Sequence, residues 1–212
     1  MATGILALAR RTAIAFVGAF LALAMYASPA RADQGAEAYV RGILDDANIV
    51  FDAKTKDERF DGIAALVDKY VDMPRVSMFV LGQYARQITD AQKANYFPLF
   101  QRYSRLVYQE ALDEYSGERL EVVNSVDRTE RDIIVNTRVV GTKPGDKYAN
   151  VVVHWRVYRA ADGSMAIFDA GVDQVWLAVE QQSQFKSVIA NNGGGAQGID
   201  ALIADLKERL DG

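Results

Sequence analysis

Near residue 117 the apolar residues change from a helical repeat to strict alternation, and this switch limits the architectures open to the chain more than any other feature. Before it, the pattern is helical. Tyr39, Ile43, Ala47 and Val50 share one face of a segment covering 35–51. Thr55-Lys56-Asp57-Glu58 is a capping box ahead of Phe60, Ile63, Val67 and Tyr70. A short helix is expected from Pro74, capped by Asp72, to about Gly82. Thr89-Asp90-Ala91-Gln92 opens the longest pattern, running to about Tyr115 with Phe97, Phe100, Tyr103, Val107 and Ala111 inward and Gly117 at its end. Pro98 lies inside it and predicts a kink or a break.

After the switch, residues 120–127, 132–140, 148–158 and 165–172 read as strands joined by hairpin-length turns. Residues 174–179 read as one more strand or extended segment. Two helices follow, at about 181–190 and 199–210, with the glycine-rich 191–195 between them as a flexible joint. Helices first and meandering strands later predict an α+β fold: a twisted antiparallel sheet of four to five strands covered by about six or seven helices.

The N-terminus reads as an export signal. Arg10 and Arg11 precede an apolar run from Thr12 to Met25, and Ala30-Arg31-Ala32 is a small-x-small cleavage site, which predicts a cut between Ala32 and Asp33. The run is short for a bilayer span, although an uncleaved anchor is the competing reading. The flanks of the arginine pair lack the other features of twin-arginine signals, so the general secretory route is expected. Residues 1–32 therefore form a cleavable signal peptide and residues 33–212 a single domain destined for the periplasm. Removing the three signal arginines from 24 basic residues leaves 21 against 28 acidic ones, a net charge near −7 that argues against nucleic acid as a partner. Without cysteine the chain has neither disulfide nor thiolate chemistry.

Catalytic constellations are scarce. One histidine, His154, sits mid-strand, so zinc, copper and haem sites are not expected, and no cofactor is implied. Asp45-Asp46 and Asp57-Glu58 read as solvated charges or helix-dipole partners. Gly193-Gly194-Gly195 lacks the Lys-Ser or Lys-Thr of a phosphate loop, and no Gly-x-Ser-x-Gly elbow occurs. One enzymatic alternative remains, a small-molecule isomerase or hydrolase working with a buried Asp and Tyr. Asp169 is its candidate acid, against the plainer reading of a residue satisfying backbone amides at a strand end. Val151, Val153, Trp155 and Val157 share one sheet face beside Ile133, Val135 and Val139. Composition alone leaves open whether that face is a filled core or an apolar cavity.

Several segments, in order, resemble one family. They are Leu66-Val67-Asp68-Lys69-Tyr70-Val71-Asp72-Met73, Val80-Leu81-Gly82-Gln83-Tyr84-Ala85-Arg86, Thr89-Asp90-Ala91-Gln92, Phe97-x-x-Phe100 and Tyr115-Ser116-Gly117-Glu118. Ile167-Phe168-Asp169-Ala170-Gly171-Val172, Gln182-Ser183-Gln184-Phe185 and Leu202-Ile203-x-x-Leu206 complete the set. Together they are similar to the MlaC family, the toluene-tolerance periplasmic proteins, over essentially the whole mature chain. The sequence departs from many members in Ala85, where Trp is common, in Gln174-Val175-Trp176-Leu177 and in Gln182. These departures bear on cavity shape and rim contacts.

The resemblance implies a nuclear transport factor 2-like cone with an apolar pocket. It also implies a non-enzymatic carrier shuttling phospholipid between an outer-membrane lipoprotein complex and an inner-membrane ABC transporter with an MCE protein, and a monomer suits such a shuttle. A hopanoid-type cargo would follow from membership of the sister HpnM branch. Strand parity and helical phase then place Val135, Val139, Val151, Val153, Trp155 and Ile167 from the sheet in the pocket, with Phe79, Phe100, Tyr103 and Val107 from the helices. Arg86 and Lys186 are candidate rim cations for a lipid phosphate.

Overall fold

Each of the first four helices starts at a side-chain cap. In the computed structural model, which describes residues 32–113, 118–173 and 175–211, α1 (Gln34–Phe51) begins where the Asp33 carboxylate accepts the Ala36 N–H at 2.9 Å. At α2 (Lys56–Tyr70) both arms of the capping box form, Glu58 N–H to Thr55 Oγ1 and Thr55 N–H to Glu58 Oε2, each 3.2 Å. Asp72 caps α3 (Met73–Val80), and a 3-10 turn (Gly82–Arg86) follows. Thr89 and Gln92 form the second box at the start of α4 (Asp90–Asp113). Residues 1–31 of the expected signal, the expected helix end at 114–117 and Gln174 lie outside the described residues.

Pro98 does not break α4, which is one helix through it. The proline removes the hydrogen bond that would reach the Ala94 carbonyl. Both residues are exposed, so water can serve that carbonyl, while Tyr96, Leu99, Phe100 and Tyr103 bury the opposite side on both flanks of the proline.

The strands β1 (Arg119–Thr129), β2 (Asp132–Val140), β3 (Val152–Arg159), β4 (Met165–Val172) and β5 (Val175–Trp176) form an antiparallel meander in the order β1-β2-β3-β4-β5. The expected third strand starts four residues later than its pattern suggested, because 148–151 fold as a turn. Bulges fall between Val122 and Asn124, between Asp127 and Thr129, and opposite Arg156/Val157. The segment read as extended over 174–179 is strand only at Val175–Trp176, since α5 (Leu177–Asn191) begins directly after it.

The glycine-rich joint is a tight reversal. Gly193, Gly194 and Gly195 all have positive φ, and the Gly194 N–H returns to the Ile189 carbonyl at 2.9 Å, ending α5 just before α6 (Gly195–Asp211). The two helices approach closely there because Gly198 carries no Cβ, which would stand 2.3 Å from the Ile189 carbonyl oxygen.

Among the described residues, two apolar clusters result. In the first, α1 lays Ala36, Val40, Ile43 and Leu44 across Ile133, Val135, Val157 and Ile167 of the sheet. In the second, α2 to α6 bury one another around Ile63, Val80, Tyr96, Phe100, Phe185 and Leu202. They meet along β4: Val71 bridges Ile167, the Asp72 N–H donates to the Ile167 carbonyl at 2.9 Å, and Phe168 packs edge-on against Phe79 at 5.0 Å. Among the described residues no helix is long and apolar enough to cross a membrane.

Candidate functional site

Strand register sets Val122, Thr137, Val153, Val172 and Val175 in one row across all five strands, on the face that α1 partly covers. From Thr137 outward, cover falls. Thr137 is fully buried, Val153 half-buried, Val172 43 % exposed and Val175 54 % exposed. Leu177 and Val179, at the start of α5, continue the apolar run at 41 % and 44 %. An apolar surface that begins beneath α1 therefore opens at the β4–β5 edge. Polar groups within it are satisfied: Thr137 Oγ1 donates to the Val153 carbonyl at 3.0 Å and accepts the Trp155 Nε1–H at 3.1 Å.

Seven of the ten residues expected to line one pocket divide between the two clusters, and Val139, Val151 and Val153 belong to neither. Val135 and Ile167 are buried under α1 with Trp155 at the margin, Val139 is buried on the same face, and Val153 lies in the opening row. Val151 precedes β3, where its carbonyl accepts the Val139 N–H at 3.4 Å. Phe100 and Tyr103 instead close around Phe185 in the bundle, at 6.2 and 6.0 Å between ring centres, with Phe79 and Val107 at its margin. Register sets Val135, Val139, Val153 and Trp155 on a common face, Ile167 joins it through the bulge in β4, and Val151 lies outside the paired strand. The helix over that face is α1, however, and the inward face of α4 is taken up by α5 and α6. Sequence reading passed over Val172, Val175, Leu177 and Val179. Their signal was an apolar alternation running past the end of a strand.

Arg86 is exposed at the end of the 3-10 turn. Lys186 borders the same turn: its aliphatic stem lies on Gly82, where a Cβ would meet Lys186 Cδ at 2.9 Å. Open clefts lie elsewhere among the described residues. One, about 850 Å³, runs between α5 and α6 past Ser183, Ser187, Asn191 and Asp205, and one of about 470 Å³ lies by Arg119 and Tyr148. Neither is lined by any of the ten expected pocket residues.

Asp169 is buried, and its Oδ1 accepts the N–H groups of Ala170 and Ala178, both at 2.9 Å. Trp176 offers α5 no side-chain cap, so Asp169 supplies one from the neighbouring strand. Its Oδ2 has no hydrogen-bond partner. Burial pushes the carboxyl above its ordinary range, against the two amides and Arg156, which Asp132 holds in a bidentate pair at 2.9 and 2.8 Å. Burial, and then the Asp169 charge, push the Tyr108 hydroxyl up to about 12. An Asp and a Tyr do influence one another here, but the acid is engaged as a helix cap.

A raised carboxyl pKa means that ionisation is harder in the folded state, so this group's contribution to stability falls as pH rises above about 3.9. Asp169→Asn, which keeps the acceptor without the charge, is expected to be at least as stable as wild type at pH 7. That advantage should close as pH falls. Asp169→Ala should lose about 1–2 kcal/mol by stranding two amides. Urea unfolding between pH 4 and pH 8 checks both, and an Asn variant weaker than the Ala variant would refute the capping role.

On the opposite sheet face, His154 Nδ1 lies 2.6 Å from Asn136 Oδ1, and Asn136 Nδ2–H donates to Asn124 at 2.6 Å. The Trp176 ring packs 5.9 Å from the imidazole, across Gly171, where a Cβ would lie 3.1 Å from the indole. His154 is thus part of a cross-strand ladder. Among the described residues, no group of three or more His, Cys, Asp or Glu could hold a metal ion.

Comparison with known proteins agrees with this architecture. A phospholipid-binding protein from Ralstonia solanacearum, solved in complex with a phospholipid, superposes with a TM-score of 0.66 at 21% identity, covering 82% of this chain and 96% of that one. The family model for MlaC protein matches residues 43–208, from the middle of α1 to the last turn of α6. With that model matched over most of its length, the chain belongs to the MlaC family.

Proposed function

We propose that the mature protein is a periplasmic carrier of phospholipid, loaded and unloaded by membrane complexes on either side. The cargo would be taken between an outer-membrane lipoprotein complex and an inner-membrane ABC transporter with an MCE protein. The observation that carries this reading is the apolar row, covered at Thr137 and open at Val172 and Val175, in a chain of the MlaC family. The Ralstonia protein of the same fold was solved with a phospholipid, which supports the class of cargo.

The physical need is clear. Each methylene exposed to water costs about 0.8 kcal/mol, so one sixteen-carbon chain represents roughly 12 kcal/mol. Spontaneous transfer through water is correspondingly slow, and a carrier lowers the barrier with an apolar surface. Release needs only a partner that favours the unloaded conformation. No bond in the cargo must be made or broken, so the carrier needs no reaction centre.

Exported protein, purified gently and analysed by native mass spectrometry with lipid extraction, is expected to carry a diacyl phospholipid. A triterpenoid would instead place it on the hopanoid branch, and protein that arrives empty and transfers no lipid between vesicles would overturn the proposal. Val153→Trp and Val151→Glu, at and beside the opening row, should each lower lipid occupancy at least severalfold. Undiminished lipid in both variants would remove Val135, Val139, Val151, Val153, Trp155 and Ile167 as the binding face.

A further inference from the structure

We infer that the fold contains a built receptor for its own processed N-terminus, in which the Asp33 α-ammonium left by cleavage after Ala32 is held by Ser125 and Glu37. The inference rests on the export reading above. Ala32 is exposed, so a peptidase of the export pathway can reach the bond, whereas Asp33 is already docked on the sheet. Its backbone N–H donates to Ser125 Oγ at 2.7 Å, a contact across 92 residues of sequence. Ser125 is 5 % exposed, and its hydroxyl donates in turn to Glu37 Oε1 at 3.0 Å. The Asp33 carboxylate is fixed as well, by the Ala36 N–H on one oxygen and by Arg159 on the other.

Hydrolysis changes what this nitrogen can do. Water cleaves the Ala32–Asp33 amide, its oxygen going to the Ala32 carboxylate, and the nitrogen becomes a protonated amine. A neutral donor with one proton, already used on Ser125, becomes a cation with three. Two carboxylates stand close by on the same turn of α1, those of Asp33 itself and of Glu37, and Asp127 lies two residues beyond Ser125 on the same face of β1.

The opposing charges are Arg159 on β3, Arg41 on α1 and the positive end of the helix. Arg159 is engaged with Asp33 Oδ2, and Arg41 meets the outer oxygen of Glu37 from a side chain 53 % exposed. Glu37 and Asp33, both 13 % exposed, are much less screened by water. Burial opposes ionisation of Asp33, yet the Ala36 amide and Arg159 outweigh it and hold the carboxyl below its ordinary range, so the negative charge persists well into acid. The balance favours a cation at this position.

The full chain, expressed with its own leader and recovered from the periplasm, tests this against a variant with one alanine inserted between Ala32 and Asp33. The small-x-small rule keeps the cut after Ala32 in both, so the variant moves the amine about 3.8 Å from Asp33. Terminal sequencing should find Asp33 first in the wild type. Its unfolding midpoint at pH 6–7 should exceed that of the variant by roughly 3–8 °C. A cation stabilised by folding contributes fully below the unfolded amine pKa of about 7.7–8.0 and is lost as pH rises through the folded value, so the advantage should vanish in alkali. Glu37→Gln should remove most of it in the wild type and change the extended variant little.

Acylation of the wild-type amine at pH 7 should be about tenfold slower than in the variant, as expected for a pKa one unit higher. A mature chain that starts elsewhere would overturn the cleavage site and the inference with it. A chain that starts at Asp33 but matches the extended variant in midpoint and amine reactivity would overturn the receptor alone, leaving the export reading intact.

Discussion

Gly198→Ala is expected to lower the unfolding free energy by at least about 2 kcal/mol and the midpoint by roughly 5–10 °C. The position is interior to α6, where alanine ordinarily gains about 1 kcal/mol over glycine. Here a Cβ would stand 2.3 Å from the Ile189 carbonyl oxygen and 2.8 Å from its Cγ2. The oxygen is backbone at the end of α5, so no rotamer change clears it, and the helices must separate. Separation also strains the reversal in which the Ile189 carbonyl accepts the Gly194 N–H. Gly42→Ala is the matched control. It is exposed on α1 with nothing within 4 Å of the added carbon, and should be neutral or stabilising. Thermal and urea unfolding of the two variants compares them directly. Equal behaviour would mean that α5 and α6 do not meet at Gly198.

Local rules carried much of the fold. Thr55 with Glu58, and Thr89 with Gln92, announce two helix starts because a capping box is a contact between near neighbours and needs no knowledge of the rest of the chain. Alternation likewise sets Val135, Val153 and Trp155 on one face, since pleating decides parity, whereas Ile167 shares that face with Val172 only through the bulge opposite Arg156/Val157.

What covers a face is another matter. Periodicity marks the inner sides of α1 and α4 alike, but only the connection geometry decides that α1 lies on the sheet while Phe100 and Tyr103 turn toward Phe185. Pro98 was legible as a lost hydrogen bond, though not as one lost on the wet side of the helix. Leu177 and Val179 keep the alternation of a strand, yet Asp169, eight residues before Leu177, caps the helix that contains them. The candidate site was therefore half legible: its sheet floor followed from parity, while its open end at Val172 and Val175 depends on where neighbouring elements stop.

That division makes Phe185→Ala the sharpest test of how the interior is partitioned. Phe185 is 1 % exposed, edge-on to Phe100 and tilted against Tyr103, so truncation should cost about 3–5 kcal/mol. Phe100→Ala should cost a similar amount, and the double variant should deviate from additivity by about 0.5–3 kcal/mol because both residues border the same cavity. Phe100→Ala with Val135→Ala should instead add to within about 0.3–0.5 kcal/mol, since Val135 belongs to the cluster beneath α1. Coupling of Phe100 to Val135 as strong as to Phe185 would mean that helices and sheet line a single cavity after all. The same variants bear on cargo. If lipid lies on the open sheet face, Phe185→Ala should weaken the protein without emptying it, and lipid per folded molecule should stay near the wild-type value. Loss of lipid in proportion to the space opened at Phe185 would move the binding site into the bundle.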